Sequence, residues 1–284
     1  MVEIFKSIIL GIVEGITEWL PISSTGHLIL VNEFLNLDMS EEFVEMFNVV
    51  IQLGAILAVV IIFWNKLFPF GKKNNLHPLS KDGAGAYIKT DIFIMWFKVL
   101  AACIPAAVVG LALDDWIDEH FYNPWTVAVA LIVFGAAFII VENWNKSRKP
   151  RIDSIGALTF KAAFIIGIFQ LIAAVFPGTS RSGATIVGAL LIGISRTVAA
   201  EFTFYLAVPV MFGASLLKLV KFGFDFTGTE IAILLTGMIS ALLVSIVVIK
   251  FLMDYIKKHD FKIFGWYRII LGSLVIIYFT LINQ

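Results

Sequence analysis

Residues 49–64 read VVIQLGAILAVVIIFW and carry no charged side chain. Comparable apolar runs occur at residues 127–141 and 231–251. Each run approaches the roughly 20 residues with which a helix crosses a bilayer. The 284-residue chain is 60% hydrophobic and 15% charged, whereas soluble domains are about 45–50% apolar and about 25% charged. These features predict an all-α, polytopic membrane protein.

Charge and cysteine content narrow the classes of partner. Lys plus Arg and Asp plus Glu each total 21, so the net charge gives no sign of a nucleic-acid partner. Cys103 is the single cysteine, which excludes an intrachain disulfide and a cysteine-based metal site. The N-terminal residues lack a basic segment followed by a small-residue cleavage site, so we expect residue 1 onward to be mature structure.

Hydropathy predicts six transmembrane helices and two interrupted stretches. The predicted spans cover residues 43–64, 91–113, 125–145, 198–220, 229–252 and 264–282. Two further apolar stretches, 4–35 and 157–195, are each broken by a polar cluster that contains Pro and Gly. Because the flanking spans fix which side each stretch starts and ends on, we predict that both enter and return as re-entrant helical hairpins.

The distribution of basic residues predicts the orientation, because Lys and Arg concentrate in cytoplasmic loops. The basic segments are 65–90, 146–161 and 253–263. The expected loop at 114–120 carries neither Lys nor Arg. We therefore predict that the basic segments lie inside, whereas loop 114–120 and both termini lie outside. Lys218 and Lys221 fit this scheme poorly, because it places them on the outer side.

The chain also resembles itself. Two pairs align at a shift of 156 residues, Pro21 with Pro177 and Ser24 with Ser180. Each half holds one hairpin and three crossings, an odd number, so the second copy must lie inverted relative to the first. We predict one membrane domain over 1–284, with a first inverted repeat at 1–145 and a second at 157–284. Such repeats form binding sites near the midplane, where interrupted helices meet.

A pair of acidic residues lies just before the first break. Glu14 and Glu18 are spaced i, i+4 and share one helix face. Two carboxylates in an apolar helix are costly unless a cation or a shared proton compensates their charge. Mg2+ or Ca2+ would suit them, because both cations prefer oxygen ligands and can share substrate phosphates. Solvated acids at an aqueous edge are the alternative, although apolar residues surround the pair.

A serine and a histidine follow the acidic pair. His27 is the one histidine inside an apolar segment, and Ser24 lies three residues before it. If a helix begins here with Ser or Thr as its cap, hydroxyl and imidazole can meet on one face. Ser24 could then be a nucleophile with His27 as base, or His27 could protonate the leaving oxygen. The spacing does not choose between these roles, and a structural histidine is the third alternative.

The second break is basic. Arg181 is the one charged residue between Lys161 and Arg196, and its planar guanidinium suits phosphate oxygens. An ion pair made only for structure, with Glu14 or Glu18, is the alternative. Glycines that allow close approach and hydroxyl donors near a helix start surround Arg181, at Gly178, Gly183, Ser180, Ser182 and Thr185. These residues predict an anion site.

Two more polar residues lie inside apolar runs, namely Gln52 and Glu201. Their side chains could support the predicted cavity by hydrogen bonds. A polar contact between helices, with no part in the site, is the alternative interpretation.

Two motifs resemble those of a known family. Glu14 and Glu18 followed by LPISSTGH at 20–27, together with PGTSRSGAT at 177–185, are similar to the undecaprenyl-diphosphate phosphatase family, also called the bacitracin-resistance protein family. The resemblance implies a divalent-metal-dependent hydrolase of the bacterial cytoplasmic membrane, with its site open to the outer face. It would remove the terminal phosphate of undecaprenyl diphosphate and so recycle the lipid carrier for envelope glycans.

The resemblance also implies roles for individual residues. Glu14 and Glu18 would serve the metal, and Ser24 and His27 would supply the nucleophile and its proton transfers. The diphosphate would contact the polar positions of both motifs, namely Ser23, Thr25, Gly178, Thr179, Ser180, Arg181, Ser182 and Thr185.

Two other functions compete with this interpretation. A lipid flippase or transporter, alone or combined with hydrolysis, would suit the inverted repeats and broken helices. The histidine-nucleophile class of membrane lipid phosphatases would need a second histidine after Ser180 and Arg181, and none follows until His259. The oligomeric state, with a homodimer as one option, and the binding of the prenyl tail are left open.

Overall fold

The computed structural model of the protein describes residues 1–72 and 75–282, without the side chains at 29, 32, 33, 111, 114, 115, 118 and 282. Residues 73 and 74, in the basic segment 65–90, and the last two residues lie outside this part. The helices are α1 Val2–Thr17, α2 Ser24–Phe34, α3 Glu41–Ile62, α4 Trp64–Leu67, α5 Thr90–Phe121, α6 Pro124–Asn145, α7 Phe160–Val175, α8 Arg181–Leu191, α9 Arg196–Phe222, α10 Gly228–Tyr255 and α11 Lys262–Ile282. The all-α prediction is confirmed.

Among the described residues, six helices are long and apolar enough to cross a membrane, which confirms the six predicted spans. They are α3, α5, α6, α9, α10 and α11. Helix α10 illustrates how such a helix presents large apolar side chains outward and small residues to its neighbours. Its outward face carries large exposed side chains at every fourth position, Leu235, Ile239, Leu243 and Val247. Its opposite face carries a small residue, Gly237, where α1 packs against it. A Cβ on Gly11 of α1 would lie 2.3 Å from the Gly237 carbonyl oxygen, so the two backbones pack closely.

The loop expected at 114–120 is wrong, because α5 continues as a helix to Phe121. Loss of hydrophobicity ends the membrane-spanning part of a helix, but it does not break the backbone hydrogen bonds. The stop comes at Asn123, which precedes Pro124 and is therefore biased away from helical backbone. The Asn123 side chain then caps α6 by accepting a hydrogen bond from the Thr126 N–H at 2.9 Å.

Both interrupted stretches are broken where the sequence predicts. Residues 18–23 separate α1 from α2, and residues 176–180 separate α7 from α8. The two breaks end in the same way. Ser23 (φ 78°) and Ser180 (φ 67°) cap α2 and α8, and each hydroxyl accepts a hydrogen bond at 3.2 Å, from Gly26 N–H and Gly183 N–H respectively.

This shared capping geometry corrects the alignment of the two halves. It pairs Ser23 with Ser180, so Arg181 lies opposite Ser24 and not opposite Thr25. The cause is one extra residue before the second cap, because Ser23 is the second residue after Pro21 whereas Ser180 is the third residue after Pro177.

The helices around the breaks pack in pairs. Helix α1 lies along α10 and α7 lies along α5, while α3 packs on α9 and α6 packs on α11. Exchanging the two halves of the chain maps these pairs onto one another. The inverted repeat and the re-entrant course of the hairpins stay predictions, since both concern the direction of each helix through a bilayer.

Candidate active site

One carboxylate joins the two breaks. Glu18 follows α1 directly, and the residue is 7% exposed. Its Oε2 accepts a hydrogen bond from Ser24 Oγ at 2.6 Å, and its Oε1 accepts one from Arg181 Nη2 at 2.9 Å. The acidic cluster of the first half and the basic cluster of the second therefore form one site.

Arg181 is held from two directions. It is the first residue of α8, and its Nη1 donates to the Thr203 carbonyl oxygen of α9 at 3.0 Å. Its Nε is buried and has no hydrogen-bond partner in the described part of the chain. The guanidinium is thus fixed by protein contacts while one of its donors is still free for a ligand.

The hydroxyls near Arg181 mainly hold the site together. Ser182 Oγ donates to the Glu18 carbonyl oxygen at 3.2 Å and lies 3.1 Å from Ser180 Oγ. Thr185 Oγ1 donates to the Arg181 carbonyl oxygen at 2.9 Å and lies 2.8 Å from the Thr203 hydroxyl. These contacts fasten α8 to the end of α1 and to α9.

Glu14 lies one turn before Glu18 and is fully buried. Neither of its carboxylate oxygens has a hydrogen-bond partner among the described residues. A buried, unpaired carboxylate is expensive, so Glu14 requires a cation or a proton. Among the described residues, no three or more His, Cys, Asp or Glu side chains are grouped so that they could hold a metal ion by themselves. A cation on Glu14 and Glu18 would therefore need phosphate or water oxygens to complete its shell.

Ser24 and His27 have other hydrogen-bond partners in the structure than each other. The Ser24 hydroxyl donates to Glu18, because α2 begins at Ser24 itself and the side chain reaches back over the break. His27 lies further along α2, with Nδ1 2.7 Å from the Ser23 carbonyl oxygen and Nε2 2.6 Å from the Tyr267 hydroxyl. A carbonyl oxygen can only accept, so Nδ1 carries a proton, and in the neutral ring Nε2 accepts from Tyr267.

The two glycines near Arg181 serve close packing. Gly178 has φ 89°, and a Cβ there would lie 2.6 Å from the Val127 backbone of α6. A Cβ on Gly183 would lie 2.5 Å from Arg268 Nη1. Thr179 is fully buried, and its hydroxyl has no partner within the described part of the protein.

Two of the predicted residues lie in a wider cavity beside the cluster. Thr25 and Gln52 line a cavity of about 1270 Å³, which Lys218 and Lys221 also border. Glu201 has different neighbours. Its Oε1 accepts a hydrogen bond from Lys66 Nζ at 2.8 Å and another from the Tyr205 hydroxyl. The structure therefore places Glu201 in a separate polar contact between α4 and α9.

Sequence reasoning missed Arg268 of α11, which is fully buried. Its Nη1 donates to the Pro21 carbonyl oxygen at 3.2 Å, and its Nη2 donates to the carbonyl oxygens of Gly178 at 3.0 Å and Thr179 at 2.5 Å. One guanidinium thus binds the backbone of both breaks. The signal was available, because a charged residue inside an apolar span is rare and usually functional.

The chain is similar to proteins of known family along nearly its whole length. Residues 7–274 match the family model described as "Bacitracin resistance protein BacA". The chain is 64% identical over 280 residues to an undecaprenyl-diphosphatase of Desulfitobacterium hafniense, covering 99% of this chain and 97% of that protein. It is 64% identical over 281 residues to undecaprenyl-diphosphatase 1 of Clostridium acetobutylicum, with 99% of both chains covered. An undecaprenyl-diphosphatase of Acetivibrio thermocellus is 62% identical over 283 residues, with both chains covered completely.

Proposed function

Because the chain belongs to the bacitracin resistance protein family, we propose that it is an undecaprenyl-diphosphatase. It hydrolyses undecaprenyl diphosphate to undecaprenyl phosphate and inorganic phosphate, and so returns the lipid carrier to the synthesis of peptidoglycan and other envelope glycans. The link to bacitracin resistance follows from the family. The observation that carries the proposal is the Glu18 carboxylate, which binds the Ser24 hydroxyl and the Arg181 guanidinium together.

The geometry favours Ser24 as the nucleophile and Glu18 as its base. The Ser24 proton passes to Glu18 along the existing 2.6 Å hydrogen bond while Oγ forms a bond to the terminal phosphorus. The bond from that phosphorus to the bridging oxygen breaks, and undecaprenyl phosphate leaves. A water molecule then hydrolyses the phosphoserine, which releases inorganic phosphate and restores the Ser24 hydroxyl and the Glu18 carboxylate.

Arg181 supplies positive charge where the phosphoryl group transfers. Its Nε donor is free in the described structure, and its contact with the Thr203 carbonyl oxygen sets the position of the guanidinium. Fixed donors of this kind stabilise the charge that develops on phosphoryl oxygens. His27 contacts the Ser23 carbonyl oxygen and the Tyr267 hydroxyl, whereas the Ser24 hydroxyl donates to Glu18, so His27 is a candidate for proton transfer to the leaving oxygen.

Glu14 and Glu18 would hold Mg2+ or Ca2+. The unpartnered oxygens of Glu14 support this assignment, and the spacing of the two residues turns both toward the same side of α1. When bound, the cation would neutralise diphosphate charge and polarise the phosphoryl group.

The site would open to the outer face of the cytoplasmic membrane, with both chain termini outside. The cavity beside Thr25 supports this, because its border is formed by the ends of α2, α3 and α9 that the basic loops place outside. Lys218, which fitted the orientation poorly, forms an ion pair with Glu45, so its charge is balanced locally.

A homodimer is also proposed, and native mass spectrometry in detergent would measure it.

Surface labelling tests this orientation. In a Cys103→Ser background, a cysteine replacing the exposed Glu42 should react with a membrane-impermeant maleimide added to intact cells. A cysteine replacing Lys149 should react only after lysis. The reverse pattern would contradict the proposed orientation.

Phosphate release tests the activity itself. Purified protein in detergent should release inorganic phosphate from a polyprenyl diphosphate with Mg2+, and EDTA should abolish the release. Folded protein without any release would contradict the proposal. A transporter would instead move lipid phosphate across reconstituted vesicles without hydrolysis, so the same preparation should be assayed for both.

A further inference from the structure

A second cavity lies at the far end of α8. It encloses about 980 Å³ where the segment after α6 passes the end of α8 and the start of α9. Its charged lining residues are Glu142, Arg148, Lys149, Arg151, Arg196 and Lys257. None of the candidate site residues borders it. Helix α8 runs from Arg181 to Leu191, so roughly 16 Å of helix separates this cavity from the phosphatase site.

The charges of the cavity do not balance. Glu142 is bound by Arg196 through three hydrogen bonds of 2.6–3.1 Å and accepts another from the Phe261 N–H at 3.0 Å. Lys257 forms an ion pair with Asp254 at 2.8 Å. The remaining cations are Arg148, Lys149 and Arg151. None of these three has a carboxylate at ion-pair distance among the described residues, so the cavity carries excess positive charge.

The backbone around these cations is fixed. Arg151 N–H donates to the Gly193 carbonyl oxygen at 2.7 Å, and Ser195 N–H donates to the Ile152 carbonyl oxygen at 2.8 Å. Asn145 Nδ2 donates to the Leu190 carbonyl oxygen at 2.9 Å. The segment that carries Arg148 and Arg151 is therefore fastened to the ends of α8 and α9.

The Arg148 guanidinium is also held in place. Its carbon lies 4.6 Å from the centre of the Trp144 ring. A guanidinium stacked on an aromatic ring keeps its N–H edge free for a planar, bidentate acceptor. A phosphate group is such an acceptor.

The cavity lies at the membrane boundary. Two spans end beside it, α6 at Asn145 and α10 at Tyr255, and α9 begins there. Trp144 and Leu191 of its rim are exposed, at 49% and 37%, and aromatic residues are typical of the membrane interface. Cations at the interface combined with an apolar rim suit a phosphate group that carries acyl chains.

We propose that this cavity binds the phosphate of an anionic membrane phospholipid. Arg148, Lys149 and Arg151 contact the phosphate, and the acyl chains lie along the exposed faces beside Trp144 and Leu191. The bound lipid holds the segment after α6 against α8 and α9. The proposal does not depend on the phosphatase chemistry, because no residue is shared between the two sites.

Ligand-dependent stability tests the proposal. Full-length protein in a neutral detergent should be melted with a short-chain phosphatidylglycerol, with the matching phosphatidylcholine, and with inorganic phosphate. Arg148→Gln/Arg151→Gln should be compared with Lys72→Gln/Lys81→Gln, which removes two exposed cations from another loop. Phosphatidylglycerol should raise the Tm of the parent and of the control, and its apparent Kd should rise about tenfold or more in the Arg148→Gln/Arg151→Gln protein.

Several outcomes would overturn the proposal. Equal stabilisation by phosphatidylcholine, or an unchanged Kd in Arg148→Gln/Arg151→Gln, would show that the cavity does not recognise the lipid phosphate. Stabilisation by inorganic phosphate as strong as that by phosphatidylglycerol would assign the site to a free anion instead of a lipid.

A second measurement avoids the folding of the double variant. Phosphatidylglycerol with brominated chains should quench the tryptophan fluorescence of the parent more than that of the Trp144→Phe protein. The difference in quenching between the two proteins should be larger with this lipid than with brominated phosphatidylcholine. Identical differences for the two lipids would contradict the proposal.

Discussion

At the scale of single residues, the chemistry depends on the different hydrogen-bond donors of the two carboxylate oxygens of Glu18. One oxygen accepts from a serine hydroxyl and the other from a guanidinium. A carboxylate that accepts the Ser24 hydroxyl can take its proton. The same pairing explains why charged groups can lie inside this apolar chain, because each satisfies another.

Glu18→Gln should therefore slow turnover by on the order of 100-fold or more, since a glutamine can accept a hydrogen bond but cannot act as a base. The measurement is kcat for phosphate release from a polyprenyl diphosphate. Glu201→Gln is the matched control, because it neutralises a buried glutamate whose partners are Lys66 and Tyr205. Turnover of Glu18→Gln within threefold of the parent would contradict the role of Glu18 as base.

Glu14 offers a test of the metal that does not depend on activity. Its buried oxygens have no partner among the described side chains, so Mg2+ should stabilise the folded state by relieving the unpaired charge. Addition of Mg2+ after EDTA treatment should raise the Tm of the parent and leave the Tm of Glu14→Gln nearly unchanged. An equal rise in both proteins would assign the stabilising cation to another place.

At the scale of elements, two broken helices depend on partners that cross between the halves. Arg268 of α11 donates hydrogen bonds to backbone carbonyl oxygens of both breaks. These oxygens lie where the helix is interrupted, so they receive their donor from a different helix. Unsatisfied backbone at membrane depth costs several kcal/mol. Arg268 is thus a positioning residue, because it holds the two breaks that directly precede Ser24 and Arg181.

Arg268→Met should lower the stability by about 3 kcal/mol or more, because the buried carbonyl oxygens lose their donors. Thermal or denaturant unfolding in detergent measures the loss. Tyr267→Phe removes only the hydroxyl that contacts His27, and it should cost about 1 kcal/mol. Equal stability losses for the two variants would show that Arg268 does not hold the breaks.

Close helix packing makes a separate prediction. Gly11→Ala should destabilise the protein by about 1–3 kcal/mol, because its Cβ would overlap the Gly237 carbonyl oxygen. Gly213→Ala in α9 is the matched control. A Cβ there meets no atom within 4 Å, so helix propensity alone should make the change neutral or slightly stabilising. Similar unfolding temperatures for both variants would contradict the packing of α1 on α10.

At the scale of the whole molecule, local patterns predicted most of the architecture. Six apolar runs became six membrane-crossing helices, and the Pro, Gly and Ser clusters became the two breaks, because hydrophobicity and backbone restriction act over a few residues. The extension of α5 past residue 113 could not be read from hydropathy, since polarity ends a membrane span but does not end a helix. Only the stop at Asn123 and Pro124 decides that boundary.

The sequence predicted which residues form the site, but it did not predict which of them are hydrogen-bonded to each other. Glu18, Ser24 and Arg181 were expected together, whereas the partner of Ser24 depended on the first residue of α2. A helix beginning at Ser24 directs that hydroxyl to Glu18 and leaves His27 with Tyr267. Such a one-residue choice depends on packing between distant segments, which no local pattern encodes.

Ser24 is the group that attacks the diphosphate in the proposed reaction, so phosphate release by Ser24→Ala is its most direct test. Ser273→Ala in α11 is the matched control, because the Ser273 hydroxyl donates to the Ile269 carbonyl oxygen of its own helix at 2.8 Å and has no part in the candidate site. Ser24→Ala should retain the parent fold and lose turnover on the order of 1000-fold or more, while Ser273→Ala should remain within threefold of the parent. Turnover by folded Ser24→Ala within tenfold of the parent would contradict the role of Ser24 as nucleophile.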